Sequence, residues 1–453
     1  MIIIIIIVII IIIIIIIKVL LTAGYSLCDT LEDADLILTN TCAIRENAES
    51  KVWQRIKYFN SLKKKKKKSG NNDGTPLIGV LGCMAERLKK SLLEEEKLVD
   101  LVAGPDAYRD LPNLLLEVGT GQKAVNVLLS RDETYADISP VRLDQGGINA
   151  FVTITRGCDN MCSFCVVPFT RGRERSRDPE TIVEECKDLF SKGYKEVTLL
   201  GQNVDSYRWN ITSKGELKDS SKPTTNFAQL MKMVALVSPL LRVRFSTSHP
   251  KDMTDDVLEI MAAHENICPY IHLPVQSGNS EVLNRMNRGY SREWYIDRIQ
   301  SIKRIIPECA ISTDIITGFC GETEEEHQDT LSVMDLVAYD FAYMFKYSER
   351  PKTLAERRFS DDVPEDVKSR RLNEIIEKQL SHSLKSHQQQ LGSLQKVLVE
   401  GPSKRSDDFY CGRNGRNSMV VFPKDSAEKG QYVIVKIEDC TSATLRGKIE
   451  QYV

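Results

Sequence analysis

Six short apolar runs, separated by amphipathic stretches, constrain the fold of this chain more than any other feature. FVTIT (151–155), EVTLLG (196–201), VRFSTS (243–248), YIHLPV (270–275), ISTDIITGF (311–319) and FAYMFKY (341–347) read as buried strands. Helical periodicity occupies Pro179–Ser191, Asp255–Ala263, 291–306 and 323–337 between them. This rhythm builds a parallel sheet or barrel, because a parallel return needs a crossover of a dozen or more residues, usually a helix. Six units predict a partial barrel and not an eight-stranded one.

Reactive side chains in such barrels gather at the carboxyl ends of the strands. The loop after the first strand reads RGCDNMCSFC and sets Cys158, Cys162 and Cys165 at C-x3-C-x2-C spacing. A [4Fe-4S] cluster ordinarily takes four thiolates, so three leave one iron open, and an open iron suits the amino and carboxylate groups of S-adenosylmethionine (SAM). Zinc motifs instead pair C-x2-C with a second, distant pair. Polar residues at the other strand ends are candidates for a SAM pocket: Gln202 and Asn203, Ser246 and Ser248, Gln276 and Ser277, and Asp314. The glycines of ITGFCGE (316–322) lie where backbone can approach an adenosine. Arg171, Arg173, Arg175 and Arg177 follow the cysteine loop, either as donors to RNA phosphate or as a solvated loop paired with glutamates.

Residues 18–131 read as a separate small α/β unit, with LILTN (36–40) and LIGVLG (77–82) as strands. Cys42 and Cys83 follow these strands directly, a placement that lets both face one site. The stretch from 63 to 74, which opens with six lysines, reads as an exposed loop, and 132–149 as a linker. Beyond the barrel domain (150–385), a charged stretch from 367 to 391 reads as a connecting helix. Residues 390–453 then read as a small all-β barrel of a kind that binds RNA, from QKVLVEG, MVVFP, QYVIVKIEDC and TLRGKIE.

Residues 2–17 are isoleucine except for Val8, almost long enough for a membrane span. No basic residue precedes the run and no cleavage site follows it, so with the lysine run it reads as low complexity, and a membrane anchor is not expected. The 61 basic and 63 acidic residues leave a net charge of -2, so a nucleic-acid partner must be met by local patches. Twelve cysteines are too sparse here for a secreted disulfide scaffold, and a reducing, intracellular compartment is expected. Cys186, Cys268, Cys309, Cys320, Cys411 and Cys440 lack ligand spacing and are expected to pack in cores.

The longer motifs carry a resemblance. With LTNTCAIRENAE (38–49), GVLGCMAERL (79–88), VAGPDAYRDLP (102–112), RGCDNMCSFCVVPFTRGRERSR (156–177) and LLGQNV (199–204), the chain closely resembles the MiaB-type methylthiotransferases from about Gly24 onward. The resemblance implies an N-terminal methylthiotransferase domain with a second [4Fe-4S] cluster, a partial (β/α)6 radical-SAM barrel and a C-terminal TRAM domain that grips RNA. Cys42 and Cys83 would then ligate the second cluster. The family's third cysteine there, about 18 residues before the match to Gly24 and Tyr25, falls inside the isoleucine run, where this sequence has none. Cys28 is the nearest substitute but lies beyond the first helix.

The family's implied partner is a tRNA anticodon stem-loop, with the base splayed out to enter the pocket. In the reaction that the resemblance implies, an electron from a ferredoxin- or flavodoxin-like donor would split SAM, and the 5′-deoxyadenosyl radical would remove hydrogen from C2 of adenine. Sulfur from the second cluster would fill that position, and another SAM would supply methyl. Within the family the chain looks most like the animal mitochondrial members that convert N6-isopentenyladenosine at position 37 to its 2-methylthio form, a branch also described as repressing a cyclin-dependent kinase. That likeness implies a mitochondrial location and a kinase regulatory subunit as partner. Rival readings keep the chemistry but act on threonylcarbamoyladenosine tRNA or a ribosomal protein, or make the chain a non-sulfurating RNA-binding or kinase-regulating protein.

Overall fold

The computed structural model describes residues 13, 15–31, 33–41, 46–68, 75–88, 92, 98–130, 132–136, 138, 147–212, 215–404 and 406–453. In the first unit β1 (Leu36–Thr41), β2 (Leu77–Gly82), β3 (Leu101–Ala103) and β4 (Ala124–Asn126) pair in parallel in chain order. Such a sheet needs cover on both faces, which is why β2 and β3 are apolar along almost their whole length. Ile56 and Phe59 of α1 (Glu46–Lys68) pack on one face. The short α2 (Cys83–Leu88) starts at the end of β2, and α3 (Leu111–Gly119) buries Leu111, Leu114, Leu115 and Val118 on the other face. Residues 15–22 are helical, and Ile15 and Ile16, the end of the isoleucine run, join that second cluster.

The lysine run does not form the expected loop. Residues 63–68 are the last turns of α1. Lysine is a good helix former and sits favourably at the negative end of the helix dipole, and Lys63 Nζ also reaches Asp100 Oδ2 at 2.5 Å. Residues 69–74 lie outside the described residues.

The second unit contains β5 (Asn149–Thr153), a two-residue hairpin of β6 (Thr155–Arg156) and β7 (Arg175–Ser176), and then β8 (Glu196–Leu200), β9 (Arg242–Ser246), β10 (Tyr270–His272), β11 (Ala310–Thr317) and β12 (Phe341–Lys346). Strands β5, β8 and β9 form one parallel sheet and β10, β11 and β12 another. A parallel bridge between Val243 and Ile267 and a bond from Ser248 N to His272 O (3.4 Å) join them into an arc of six strands in chain order, a partial barrel as expected. Val152, Leu199, Val243, Phe245, Ile271 and Ile311 belong to its continuous core. Between β6 and β7 lies α4 (Val167–Arg171), and α5 (Pro179–Ser191), α6 (Phe227–Ala235), α7 (Asp255–Ala263), α8 (Arg292–Ile305) and α9 (Glu324–Val337) supply the crossovers. Local signals fix their ends: Asp178 caps α5 ahead of Pro179, and Thr323 with Glu326 forms a capping box on α9.

A long α10 (Glu365–Gln388) leads to the third unit, a closed five-stranded barrel of β13 (Leu394–Ser403), β14 (Ser406–Asn414), β15 (Met419–Pro423), β16 (Tyr432–Cys440) and β17 (Leu445–Tyr452), in the order β13-β14-β15-β17-β16. The sequence reading found four of these strands. It passed over β14, whose first half is exposed and lacks apolar alternation. The turn after β14 docks on the amino ends of the arc strands. Arg242 Nη1 donates to Arg413 O (2.8 Å), Arg244 Nη2 to Asn414 O (2.7 Å), and Arg416 Nη2 to Asp340 Oδ1 (2.8 Å). The Nε atoms of Arg242 and Arg244 both donate to Glu196 Oε2, at 2.6 and 2.7 Å.

Burial pushes the Glu196 carboxyl up, but Arg244 and Arg242 more than reverse this and hold it below its ordinary 4.5. A depressed carboxyl contributes stability that is full above the unfolded value and is lost as pH falls through the folded one. Glu196→Gln is therefore expected to cost about 3 to 5 kcal/mol at neutral pH by leaving two buried guanidiniums short of a carboxylate. Urea unfolding at pH 7 measures that loss, and repeating it below pH 4.5 should show the gap between variant and parent narrowing.

Candidate functional site

The cysteine loop leaves the arc at β6 and returns at β7, so its two legs are bonded to each other, Arg156 opposite Arg175. Gly157 turns it with φ +74°, and a Cβ there would land 2.1 Å from Arg173 O, which only glycine avoids. Cys158 N donates to Gly172 O (3.2 Å), Ser163 N to Met286 O (2.9 Å), and Asn287 Nδ2 to Met161 O (2.6 Å). Cys162 is buried and Cys158 and Cys165 half-buried. Burial pushes the Cys158 thiol up, and Cys165 and Cys162 push it further; burial and Cys162 raise Cys165 to about 12. The three sulfurs thus share one small space.

Arg288, unmarked by the sequence reading, opposes that shift. It is buried, and its Nη1 lies 3.1 Å from Cys162 Sγ, while Nη2 donates to Pro274 O (2.9 Å) and Nε to Tyr290 Oη (3.1 Å). Nothing in the sequence marks it, since it sits 126 residues from its thiol partner.

Of the expected residues, Gln202, Asn203, Ser246, Ser248, Gln276 and Ser277 end or follow β8, β9 and β10, whereas Asp314 lies within β11. Asn203 is buried, its Nδ2 donating to Asp252 Oδ2 (2.6 Å) while its Oδ1 has no partner. Gln202 and Ser246 are half-buried, and Ser248 Oγ donates to Asp205 Oδ1 (3.2 Å). Gln276 N donates to Asp314 O (2.9 Å), Ser277 is buried, and Asp314 Oδ1 lies 3.4 Å from His272 Nε2. Burial pushes the Asp314 carboxyl up, but His272 more than offsets this and holds it below the ordinary value.

His249 went unnoticed in the sequence. Its Nδ1 accepts from Lys251 N (3.3 Å), which leaves the proton on Nε2, a buried donor without a partner. Burial, Arg288 and Lys251 keep the ring neutral. Nearby, burial raises Glu174 to about 7 against a bond from Ser206 (2.7 Å).

Cys83 starts α2 at the carboxyl end of β2 and packs against Val166, the residue after Cys165. Cys42 lies outside the described residues, as does the position of the missing third cysteine. Cys28 is exposed and its Sγ sits 3.5 Å from Thr30 O. What holds the two units face to face is Asp106, on the loop after β3. Its buried carboxylate accepts from Arg156 Nη2 (3.1 Å) and Arg175 Nη1 (2.8 Å), and Arg156 Nη2 also donates to Pro105 O (2.8 Å).

The phosphate-contact reading of the arginine series therefore needs correction. Arg175 and Arg177 are buried in ion pairs, Arg177 with Glu185, and only Arg173 is largely exposed, at 77% of its side chain. Cys186, Cys268, Cys309 and Cys320 are buried, as core packing requires, whereas Cys411 and Cys440 are half-buried. One further grouping, Glu324, His327 and Glu374, brings metal-ligating atoms within 4.8 Å of one another. Arg370 already pairs with both glutamates, at 2.6 and 2.5 Å, and Arg371 pairs with Glu324 as well, at 3.3 Å.

Three family models match in chain order: uncharacterized protein family UPF0004 over residues 14–104, the radical SAM superfamily over 152–334, and the TRAM domain over 388–449. A tRNA-2-methylthio-N(6)-dimethylallyladenosine synthase of Amoebophilus asiaticus is 60% identical over 435 residues, 95% of this chain and 88% of that protein. The synthase of Bacteroides thetaiotaomicron is 53% identical over 95% of this chain and 91% of its own length. The chain belongs to the MiaB-type methylthiotransferase family. Among solved structures, the radical SAM methyltransferase TsrM of Kitasatospora setae shares the fold at TM-score 0.51 and 13% identity, over 71% of this chain and 66% of that one.

Membership in the methylthiotransferase family makes the chain a radical SAM enzyme of the class that uses [4Fe-4S] clusters and SAM. The residues of the cysteine loop and the strand ends fit one cluster and SAM, whereas for a second cluster the described residues at the end of β2 offer Cys83 alone. Three thiols with an adjacent guanidinium suit an anionic cluster, and the unpartnered Asn203 Oδ1 and His249 Nε2 suit a zwitterionic cofactor. The matched relatives are bacterial, and the animal mitochondrial likeness gains no support from them. Among the described residues no helix is long and apolar enough to cross a membrane.

Arg288→Gln removes a cation and a donor from Cys162, and hydrogen bonds and net charge set cluster potentials. The reconstituted variant is expected to reduce at a more negative potential in an EPR-monitored titration; an unchanged potential would show that the guanidinium does not act on the cluster.

Proposed function

We propose that this chain is a tRNA methylthiotransferase that converts N6-isopentenyladenosine at position 37 to its 2-methylthio form. The observation that carries the reading is the Cys158, Cys162 and Cys165 loop, braced by Arg288 and set against Cys83 by Asp106. In this reading those three cysteines hold a [4Fe-4S] cluster with one iron free, and Cys42 and Cys83 serve a second cluster. Gln202, Asn203, Ser246, Gln276 and Asp314 line the SAM pocket. Bound together, cluster and SAM supply the one-electron chemistry that opens an adenine C2–H bond, for which a side-chain base is too weak.

The chain's own residues position and insulate. Arg288 offsets negative charge at Cys162, and the unpartnered His249 Nε2 and Asn203 Oδ1 are a donor and an acceptor available to a bound cofactor. Packing of Cys83 on Val166 excludes water from the seam between the two cysteine sites. The TRAM barrel supplies the grip on the anticodon stem-loop, and a ferredoxin- or flavodoxin-like protein the electron. All described cysteines are free, which suits a reducing intracellular compartment. The mitochondrial location and the kinase partner rest on the animal likeness alone, which the bacterial relatives do not support.

The test is anaerobic reconstitution with iron and sulfide, then incubation with SAM, reductant and a tRNA bearing N6-isopentenyladenosine. Mass spectrometry of the digested tRNA should show the 2-methylthio nucleoside. Cys162→Ala should abolish 5′-deoxyadenosine release and leave tRNA binding nearly intact, because TRAM docking does not involve that thiol. Deoxyadenosine release at the parent rate would overturn the assignment.

A further inference from the structure

The first and last strands of the arc, β5 and β12, do not pair with each other among the described residues, and loops bridge them at the carboxyl ends instead. In the loop after β12 a short helix, Leu354–Arg358, is capped by Thr353, whose Oγ1 accepts from Glu356 N (3.3 Å). Ala355 N donates to Ser163 O inside the cysteine loop (2.7 Å), and the buried Ala355 belongs to a cluster against which Phe164 packs. Lys352 Nζ reaches Arg87 O, on α2 of the first unit (3.4 Å). The loops of the first and last strands thus meet in one rim beside the three cysteines.

Two side chains on that rim stay open to solvent. Helix α4 buries Val167 and Thr170 but turns Phe169 outward, 36% exposed. A single exposed apolar residue is ordinary, and its setting is what distinguishes this one. Phe169 lies on the cysteine loop itself, and the guanidinium of Arg357 stands 6.0 Å from its ring centroid, the outer limit of cation–π reach. Arg357 and Arg358 are exposed, and neither side chain has an ion-pair partner among the described residues. Over 349–358 four cations stand against two glutamates. Arg156, Arg175 and Arg177, by contrast, each hold a carboxylate. An open aromatic face beside cations without carboxylates suits unpaired RNA, whose bases stack on rings while its phosphates take guanidiniums. An acidic protein surface would need the charge alone.

We propose that Phe169 and Arg357 bind the anticodon loop next to the target adenosine: the Phe169 ring stacks the base of a nucleotide flanking position 37, and the Arg357 guanidinium holds its phosphate. Extruding one base leaves its neighbour without a stacking partner on one side, and the ring supplies that face. This deepens the methylthiotransferase reading and rests on it.

The experiment measures binding of the anaerobically reconstituted full chain to fluorescent anticodon stem-loop RNAs that carry N6-isopentenyladenosine, with each flanking nucleotide either complete or abasic. Phe169→Leu, which keeps apolar bulk without a ring, should weaken binding to the complete loop about tenfold, and Phe169→Tyr should restore it. Removing the stacked base should weaken binding by the parent about tenfold but by Phe169→Leu no more than about twofold, because both changes delete the same contact. Arg357→Gln should lower the slope of log affinity against log salt by about 0.7 to 1. Undiminished binding of both abasic loops by the parent overturns the proposal without recourse to any variant. Equal losses in parent and Phe169→Leu at both flanks, or an unaltered salt slope, overturn it as well. So does slower reduction of Arg357→Gln by a flavodoxin with RNA binding unchanged, which would assign the rim to the electron donor. If the parent binds the loop through this contact but makes no methylthio nucleoside, the functional reading itself fails, which is a distinct outcome.

Discussion

The Asp106 carboxylate, with no exposed side-chain surface, lies between two guanidiniums from a different unit of the chain. Arg156 and Arg175 are the two legs of the cysteine loop, paired across β6 and β7, so one carboxylate fixes both legs to the first sheet. Without it, two buried cations would face each other uncompensated, a penalty of several kcal/mol. The loop's register against Cys83, and therefore any traffic between the two cysteine sites, depends on that bond set. Tyr135 strengthens it by lying against the Arg156 guanidinium at 4.7 Å and the Arg109 guanidinium at 5.3 Å.

What was legible in the sequence is what short-range physics decides. Helices α5 and α7 were placed to the residue, because cap, period and breaker all lie within a dozen positions. The cysteine triad was equally legible, since its spacing is a local property of one loop. The lysine run was misread because polarity alone suggested a loop where helix propensity and the pairing with Asp100 decide otherwise.

The residues that were missed act across long sequence separations. Arg288 reaches Cys162 from the segment behind β10, His249 is one residue in a turn after β9, and Asp106 meets Arg175 69 residues away. Composition made Arg175 and Arg177 look like an RNA surface, whereas tertiary contacts spent both on the interior. A single sequence offers no signal that separates a basic loop that meets phosphate from one that folds inward onto a carboxylate.

Both ends of the six-stranded arc are closed by the same device. At the amino ends Glu196 sits between Arg242 and Arg244, and at the carboxyl ends Asp106 sits between Arg156 and Arg175. Each set holds one more positive charge than negative, and the surplus donors go to backbone carbonyls: Arg413, Asn414 and Gly415 at one end, Pro105, Ser130 and Arg171 at the other. A carbonyl can take such a bond only when its own loop is in register, so each clamp rewards a single docking geometry more than it rewards contact in general. That distinction matters for the chemistry at the carboxyl ends. Apolar packing alone tolerates sliding, whereas a guanidinium shared between a carboxylate and fixed carbonyls does not, and a cysteine loop that must face Cys83 across a narrow seam needs the second kind of contact.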